Sequence, residues 1–374
     1  MGGFMNKEEL KKEMKNYKPE ITSSERISKY LSGERVDHIP FAIMSTNRII
    51  ANHLNYTISD MEDVDKLSDI VQYKYDKYKI VGLTEELSLR TMGHAVGSKL
   101  IFPEDDIDYI EEFVMDDKLD MNLIDLPDPF TNKVLAPKLE RARIQKERFP
   151  NMAIETEIPG PITTAAAIRP IEKLLRDLRK NPQGVKELLD FCFEANMKWA
   201  KAFKKEFGPT SVMVVDPVGC DDILSPKQVE EFSLPYLKKQ LSAYYELNGI
   251  KANLHICGHT KKQWKYFKDL DIDFFSVDNC EDLEECKKEI EDKLIVVGNI
   301  PPVEVMRYGS IDDVIESVKT CIKKAADAKC GYIAATGCGS PVKTPIENLD
   351  AFIYAINKYG KNAKLGEMPE AINE

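Results

Sequence analysis

The sequence predicts an α/β fold, a (β/α)8 TIM barrel with a helical N-terminal extension, and three observations point there. From residue 134 onward, short apolar runs alternate with amphipathic helical stretches. Most of the short runs are apolar without interruption, as strands are when a parallel sheet is covered by helices on both faces. The polar residues Glu157, Asp216, His255, Cys257, Asp278, Asn299 and Cys338 fall at or near the carboxyl ends of these runs. That is the face on which such barrels build active sites. Six strands between 152 and 336 and a seventh at 41–44 come close to the barrel count. The eighth is expected in the irregular segment 84–130. An open three-layer α/β sheet is the alternative. No repeat, low-complexity tract or Pro/Gly/Ser linker marks a second domain, so 1–374 reads as a single domain with 1–20 as a loose or helical arm.

Taken in order, residues 6–20 are rich in Lys and Glu. Thr22, Ser23 or Ser24 can cap a short helix with Ile27, Tyr30 and Leu31 on one face and Gly33 at its end. Asp37-His38-Ile39-Pro40 launches the first strand, and His38 reads as a turn residue. An amphipathic helix covers 61–80. In 84–130, β-like pieces at 100–102 and 107–110 alternate with acidic turns, and His94 reads as a surface-loop residue. A helix at 134–148 leads to the strand 152–158, which ends in Pro159-Gly160-Pro161. Two helical stretches broken near Asn181-Pro182 follow. Strands at 211–216, 252–257, 274–278, 294–300 and 331–336 then alternate with helices at 226–247, 260–268, 281–290, 311–328 and 346–358. His259 falls at the start of one of these helices.

Composition narrows the function classes. Hydrophobic residues are 43% and charged residues 31% of 374, as in ordinary globular proteins. The net charge is −11 with no dense Lys/Arg run, which argues against nucleic acid or an anionic membrane as partner. No apolar run approaches the roughly 20 residues of a membrane span. The opening Met1-Gly2-Gly3-Phe4-Met5 shows no basic-then-apolar signal pattern. Eight cysteines in a chain of this length then read as free thiols and metal ligands in a reducing cytoplasm.

The chemistry centres on Leu254-His255-Ile256-Cys257-Gly258-His259 and Thr336-Gly337-Cys338-Gly339-Ser340-Pro341. Residues two apart on a strand point the same way, so His255 and Cys257 can aim a nitrogen and a sulfur at one point. Cys338, 81 residues on, supplies a third ligand if the fold joins the two strand ends. One nitrogen and two thiolates suit zinc, and three protein ligands leave a position open for chemistry. A buried cysteine is also a common small hydrophobe, so the His-x-Cys pair alone is weak. The glycines flanking Cys338 strengthen it by permitting a tight turn around an uncrowded sulfur.

Further segments carry a resemblance. They are Ser24-Glu25-Arg26 with Ser32-Gly33-Glu34-Arg35-Val36-Asp37-His38-Ile39-Pro40, Gly160-Pro161-Ile162-Thr163, and Asp216-Pro217 leading to Ile223-Leu224-Ser225-Pro226. Gly298-Asn299-Ile300 and Lys343-Thr344-Pro345-Ile346-Glu347-Asn348 complete them. Together with the two cysteine motifs, they make nearly the whole chain resemble the uroporphyrinogen decarboxylase superfamily, and within it the methylcobamide:coenzyme M methyltransferases. The resemblance implies zinc on His255, Cys257 and Cys338. It also implies a methylcobamide (corrinoid) donor delivered by a corrinoid protein, and a small thiol acceptor. The decarboxylase branch looks different, because its Arg-Gln-Ala-Gly-Arg run is replaced here by Phe41-Ala42-Ile43-Met44-Ser45-Thr46-Asn47-Arg48. Asp278 and Asp216 are the candidate catalytic carboxylates. Asp278 is read as a displaceable fourth ligand or a partner of His255, and Asp216 as shaping the pocket. Gly160 and Asn299 are the candidate cofactor-binding residues. The alternatives are another acceptor (homocysteine or tetrahydrofolate), a metal-free decarboxylase, and a non-catalytic zinc or corrinoid module.

Overall fold

The computed structural model describes residues 5–373, so the opening run Met1-Gly2-Gly3-Phe4 lies outside them. Eight strands make one sheet: β1 (Phe41–Ala42), β2 (Leu83–Glu86), β3 (Ile154–Pro159), β4 (Val212–Val215), β5 (Ala252–His255), β6 (Ile272–Ser276), β7 (Ile295–Ile300) and β8 (Tyr332–Thr336). Their order is β1-β8-β7-β6-β5-β4-β3-β2, so from β2 onward sequence neighbours are sheet neighbours and β1 pairs with β8, as in a TIM-barrel-like α/β fold. The eighth strand, β2, lies at the edge of the irregular segment. That segment also holds a separate antiparallel ribbon, Lys99–Ile101 with Tyr109–Glu112. Two compact units are distinguished: Gly82–Asp273, and the described part of Met1–Val81 together with Phe274–Glu374.

In the continuous unit, β2 to β5 pair in parallel, with Glu86 opposite Glu157, Pro159 opposite Val215, and Val215 opposite His255. The helices Pro161–Ile168, Pro182–Phe207 and Leu234–Asn248 each carry proline in their first turn, where its missing N–H is not needed. They bury Ile162, Leu188, Leu189 and Cys192 in one apolar cluster with Phe232. Trp199 Nε1 donates to Thr156 Oγ1 at 2.9 Å, and Thr156 Oγ1 donates to the Glu85 carbonyl at 2.8 Å, tying the long helix to β3 and β2. The expected helix 226–247 is interrupted by a π turn at Val229–Ser233. His94 lies on a short helix, Thr91–Ala95, with Nδ1 2.9 Å from the Ser98 carbonyl, and is therefore not the surface-loop residue expected.

In the discontinuous unit, β1, β8, β7 and β6 pair in parallel. Every residue of β8 is buried, and Tyr332 donates to the Gly298 carbonyl at 2.5 Å. The helix Ile311–Ala325 starts at a Ser310/Asp313 capping box and packs on Ile346–Tyr359, which buries Phe352 and Ile356 completely. A helix at Lys7–Asn16 starts from an Asn6/Glu9 capping box and buries Leu10. It is joined to the unit by Met5 N donating to Asp312 and by a 3.2 Å Lys7–Glu347 pair. Arg26, fully buried, makes a two-pronged bond to Asp37 at 2.6 and 2.7 Å. His38 donates from Nδ1 to the Ile39 carbonyl, and burial pushes its pKa down to about 4.

Candidate functional site

The candidate residues stand at or just past the carboxyl ends of β4, β5, β6 and β8, where the turns that follow fix them. β5 ends on His255, which is fully buried with Nε2 3.2 Å from Cys257 Sγ. Gly258 follows at φ +82, a left-handed backbone that suits glycine. A side chain there would also stand 2.7 Å from Asp222 Oδ2. That carboxylate accepts from His259 N at 2.9 Å and faces His259 Nδ1 at 2.9 and 3.1 Å. These bonds hold its pKa below the usual carboxylate range. Asp221 adds bonds to Lys262 N and Gln263 Nε2, so the segment after β4 grips the segment after β5. His259 is thus part of a clamped loop rather than the start of a helix. The helix itself shrinks to Trp264–Phe267.

Two residues past β6 comes Asp278, 8% exposed, whose Oδ1 accepts from Cys280 N at 3.0 Å. Asn299, inside β7, donates from its amide to the carbonyls of Asp278 (3.0 Å) and Glu281 (2.9 Å). It holds the Asp278 turn in place. Two residues past β8 comes Cys338, partly exposed. Its flanking glycines are needed for close approach. A Cβ on Gly337 would stand 2.4 Å from Asn279 N, and one on Gly339 3.0 Å from Ser45 Oγ.

Four of the expected residues come together. His255, Cys257, Asp278 and Cys338 offer ligand atoms that all lie within 4.8 Å of one another. Tetrahedral zinc with N and S ligands needs donor separations of roughly 3.3–3.8 Å, and the 3.2 Å between His255 Nε2 and Cys257 Sγ is close to that edge. The donor set, one imidazole, two thiols and one carboxylate, fits a zinc ion in number and in chemistry.

Asp216 and Gly160 form a second group. Asp216, directly after β4, is fully buried, and its Oδ1 accepts from Thr163 N (3.2 Å) and Thr163 Oγ1 (2.6 Å). Its Oδ2 has no hydrogen-bond partner among the described residues. Burial raises the carboxyl pKa to about 6 against the opposing pull of the Thr163 bonds. A Cβ on Gly160 would lie 2.1–2.4 Å from this carboxyl group, so only glycine leaves it room. Thr163 and Asp222 escaped the sequence reasoning as site residues. Their partners lie 53 and 37 residues away, and no local pattern announces them.

The uroporphyrinogen decarboxylase (URO-D) family's model matches residues 22–359, most of the chain. The chain belongs to the uroporphyrinogen decarboxylase (URO-D) family. This URO-D chain is similar to the methylcobamide:CoM methyltransferase MtbA of Methanosarcina acetivorans, at 29% identity over 59% of this chain and 63% of that protein. It is similar over a greater length, 90% of this chain and 89% of the relative, to the methylated-thiol–coenzyme M methyltransferase of Methanosarcina mazei, at 23% identity. The first curated relatives are matched over 49–63% of their own length. A solved methyltransferase from Methanosarcina mazei superposes with a TM-score of 0.75 at 19% identity, covering 91% of this chain and 99% of the other, a likeness of fold.

Proposed function

We propose that this URO-D family member is a zinc-dependent methyltransferase that moves a methyl group from a methylated corrinoid, presented by a partner protein, to a small thiol such as coenzyme M. The observation that carries the reading is the convergence of His255, Cys257, Asp278 and Cys338 donor atoms within 4.8 Å. The names of the relatives, a methylcobamide:CoM methyltransferase and a methylated-thiol–coenzyme M methyltransferase, support it. In this reading the chain is a single closed (β/α)8 barrel domain working in a reducing cytoplasm.

His255, Cys257 and Cys338 would hold the ion, and Asp278 would occupy the fourth position until the acceptor displaces it. Zinc held there would supply the Lewis acidity that keeps an acceptor thiol deprotonated at neutral pH, and the thiolate is the nucleophile. Two cysteinates and a neutral imidazole would offset the ion's charge, so an acceptor thiolate would keep its electron density. The transfer would balance as a displacement, the acceptor sulfur's lone pair making the new S–C bond and the corrinoid donor keeping the electron pair of the bond it loses. Asn299 holds the Asp278 turn and so would keep the carboxylate within reach of the ion. Gly160 and Asp216 would shape the donor side of the pocket, with Thr163 fixing the carboxyl group.

Elemental analysis of purified protein, with a methylcobalamin demethylation assay across several thiols, tests the reading. One zinc per chain is expected, lost in Cys257→Ala and in Cys338→Ala together with thiol methylation. Full zinc occupancy in both variants would place the metal elsewhere and overturn the assignment.

A further inference from the structure

His255 and Cys257 are held in place by different means. β5 ends at His255, whose register partner is Val215 and whose carbonyl accepts from Asp216 N at 3.0 Å, so the sheet fixes it. Cys257 lies two residues past the strand. The backbone beyond it is held by the segment after β4. Asp222 Oδ2 accepts from His259 N at 2.9 Å, and both carboxylate oxygens face His259 Nδ1 at 2.9 and 3.1 Å. Asp221 N donates to the His259 carbonyl at 2.7 Å. The two aspartates thus grip His259 by its N–H, its carbonyl and its imidazole. Only Gly258 separates that residue from Cys257. Its left-handed backbone turns the chain back against the clamp, with Asp222 Oδ2 2.7 Å and Cys220 Sγ 3.3 Å from where a Cβ would stand. Cys257 is therefore fixed on one side by the sheet, through His255, and on the other by Asp222, through His259. The Asp222 side chain is 51% exposed, so removing its carboxylate opens no hole in the core.

We infer that Asp222 is a positioning residue for Cys257: its carboxylate fixes the turn after β5 and thereby the direction of the Cys257 sulfur. The inference rests on the zinc reading above and adds the group that sets how tightly this arm of the site closes on the ion. A ligand already aimed loses less freedom when the ion binds, and partners that aim a ligand are worth roughly 10–100-fold in metal affinity. A carboxylate offers two acceptor oxygens, so it can hold the His259 N–H and the imidazole together. Asparagine keeps one acceptor oxygen for the N–H, and alanine keeps none.

The test uses metal-free full-length protein: wild type, Asp222→Ala, Asp222→Asn and His259→Ala. Each is titrated with Zn²⁺ against a chromophoric chelator, and with Co²⁺, whose near-ultraviolet thiolate-to-metal absorption counts the sulfurs bound. Amide hydrogen exchange across 256–261, before any metal is added, reads the turn by itself. Asp222→Ala is expected to weaken zinc binding roughly 10–100-fold, to lower the thiolate-to-cobalt absorption, and to speed exchange across that segment. Asp222→Asn should recover most of the affinity through the His259 N–H. His259→Ala, which keeps that N–H, should bind zinc nearly as wild type does. Wild-type affinity and absorption in Asp222→Ala, or unchanged amide exchange, overturns the inference while leaving the zinc site intact. So does a loss in Asp222→Asn, or in His259→Ala, as large as in Asp222→Ala. A wild type that takes up neither metal overturns the zinc reading, and this inference with it.

Discussion

Asp216 and His38 are both buried, and burial moves them in opposite directions. The Asp216 carboxyl is raised from 3.8 to about 6. Between those values the folded chain keeps a proton that the unfolded chain has released, so stability falls as pH rises across the window, by roughly 3 kcal/mol. His38 is lowered from 6.5 to about 4, first by burial and then by the Arg26 charge. Its contribution is intact above 6.5 and is lost as pH falls toward 4, by a similar amount. The two slopes oppose each other, so these two groups together add little net pH dependence in this range. Asp216→Asn should expose the His38 slope, with stability rising from pH 4 to 6.5. His38→Gln should expose the opposite slope. Urea unfolding midpoints at half-unit steps check this, and a wild-type profile in either variant would show that its group does not titrate as described. At this scale the sequence was readable where the backbone period decides direction. His255 and Cys257, two apart at a strand end, needed only the strand to be recognised. Asp222, whose partner His259 lies 37 residues on, had no local signal.

At the level of strands and turns, the glycines carry the sharpest expectations. Gly337→Ala would push the Cys338 turn off Asn279, since the added methyl would stand 2.4 Å from a backbone nitrogen. Zinc content should drop while the melting temperature moves only a few degrees, as expected for about 1–3 kcal/mol of overpacking. Full zinc occupancy in this variant would mean that the turn relaxes without moving the sulfur. Gly160→Ala meets the Asp216 carboxyl and is expected to cost a similar amount, read from chemical unfolding. The strands β4, β7 and β8 were legible because nothing polar breaks their apolar runs before the last two residues. β2 was not, for a physical reason. Leu83-Thr84-Glu85-Glu86 reads as an acidic turn, yet Glu85 is buried and neutralised by Arg141, 56 residues away. The helix Thr46–His53 also escaped, since Ser45 makes no side-chain cap and adopts a left-handed backbone, leaving no start signal.

At the scale of the whole chain, the proposed zinc ligands are separated by up to 83 residues, so no such site exists in the unfolded chain and metal binding would stabilise the fold. Removing zinc with a chelator is expected to lower the melting temperature of wild type and to leave that of Cys338→Ala unchanged. Equal shifts in both would separate the stabilising metal from these ligands. The alternation of strands and helices made the parallel sheet legible. Its division into one continuous and one discontinuous unit was not, because contacts between distant segments leave no periodic trace. That division also sets a timetable for birth on the ribosome. Residues 82–273 emerge as a block whose internal pairings can form in sequence order, whereas β1 must wait for β8, with Phe41 pairing with Ala334. At roughly 5–20 residues per second, the first strand spends about 15–60 s without its neighbour, an interval in which a nascent-chain chaperone has most to protect.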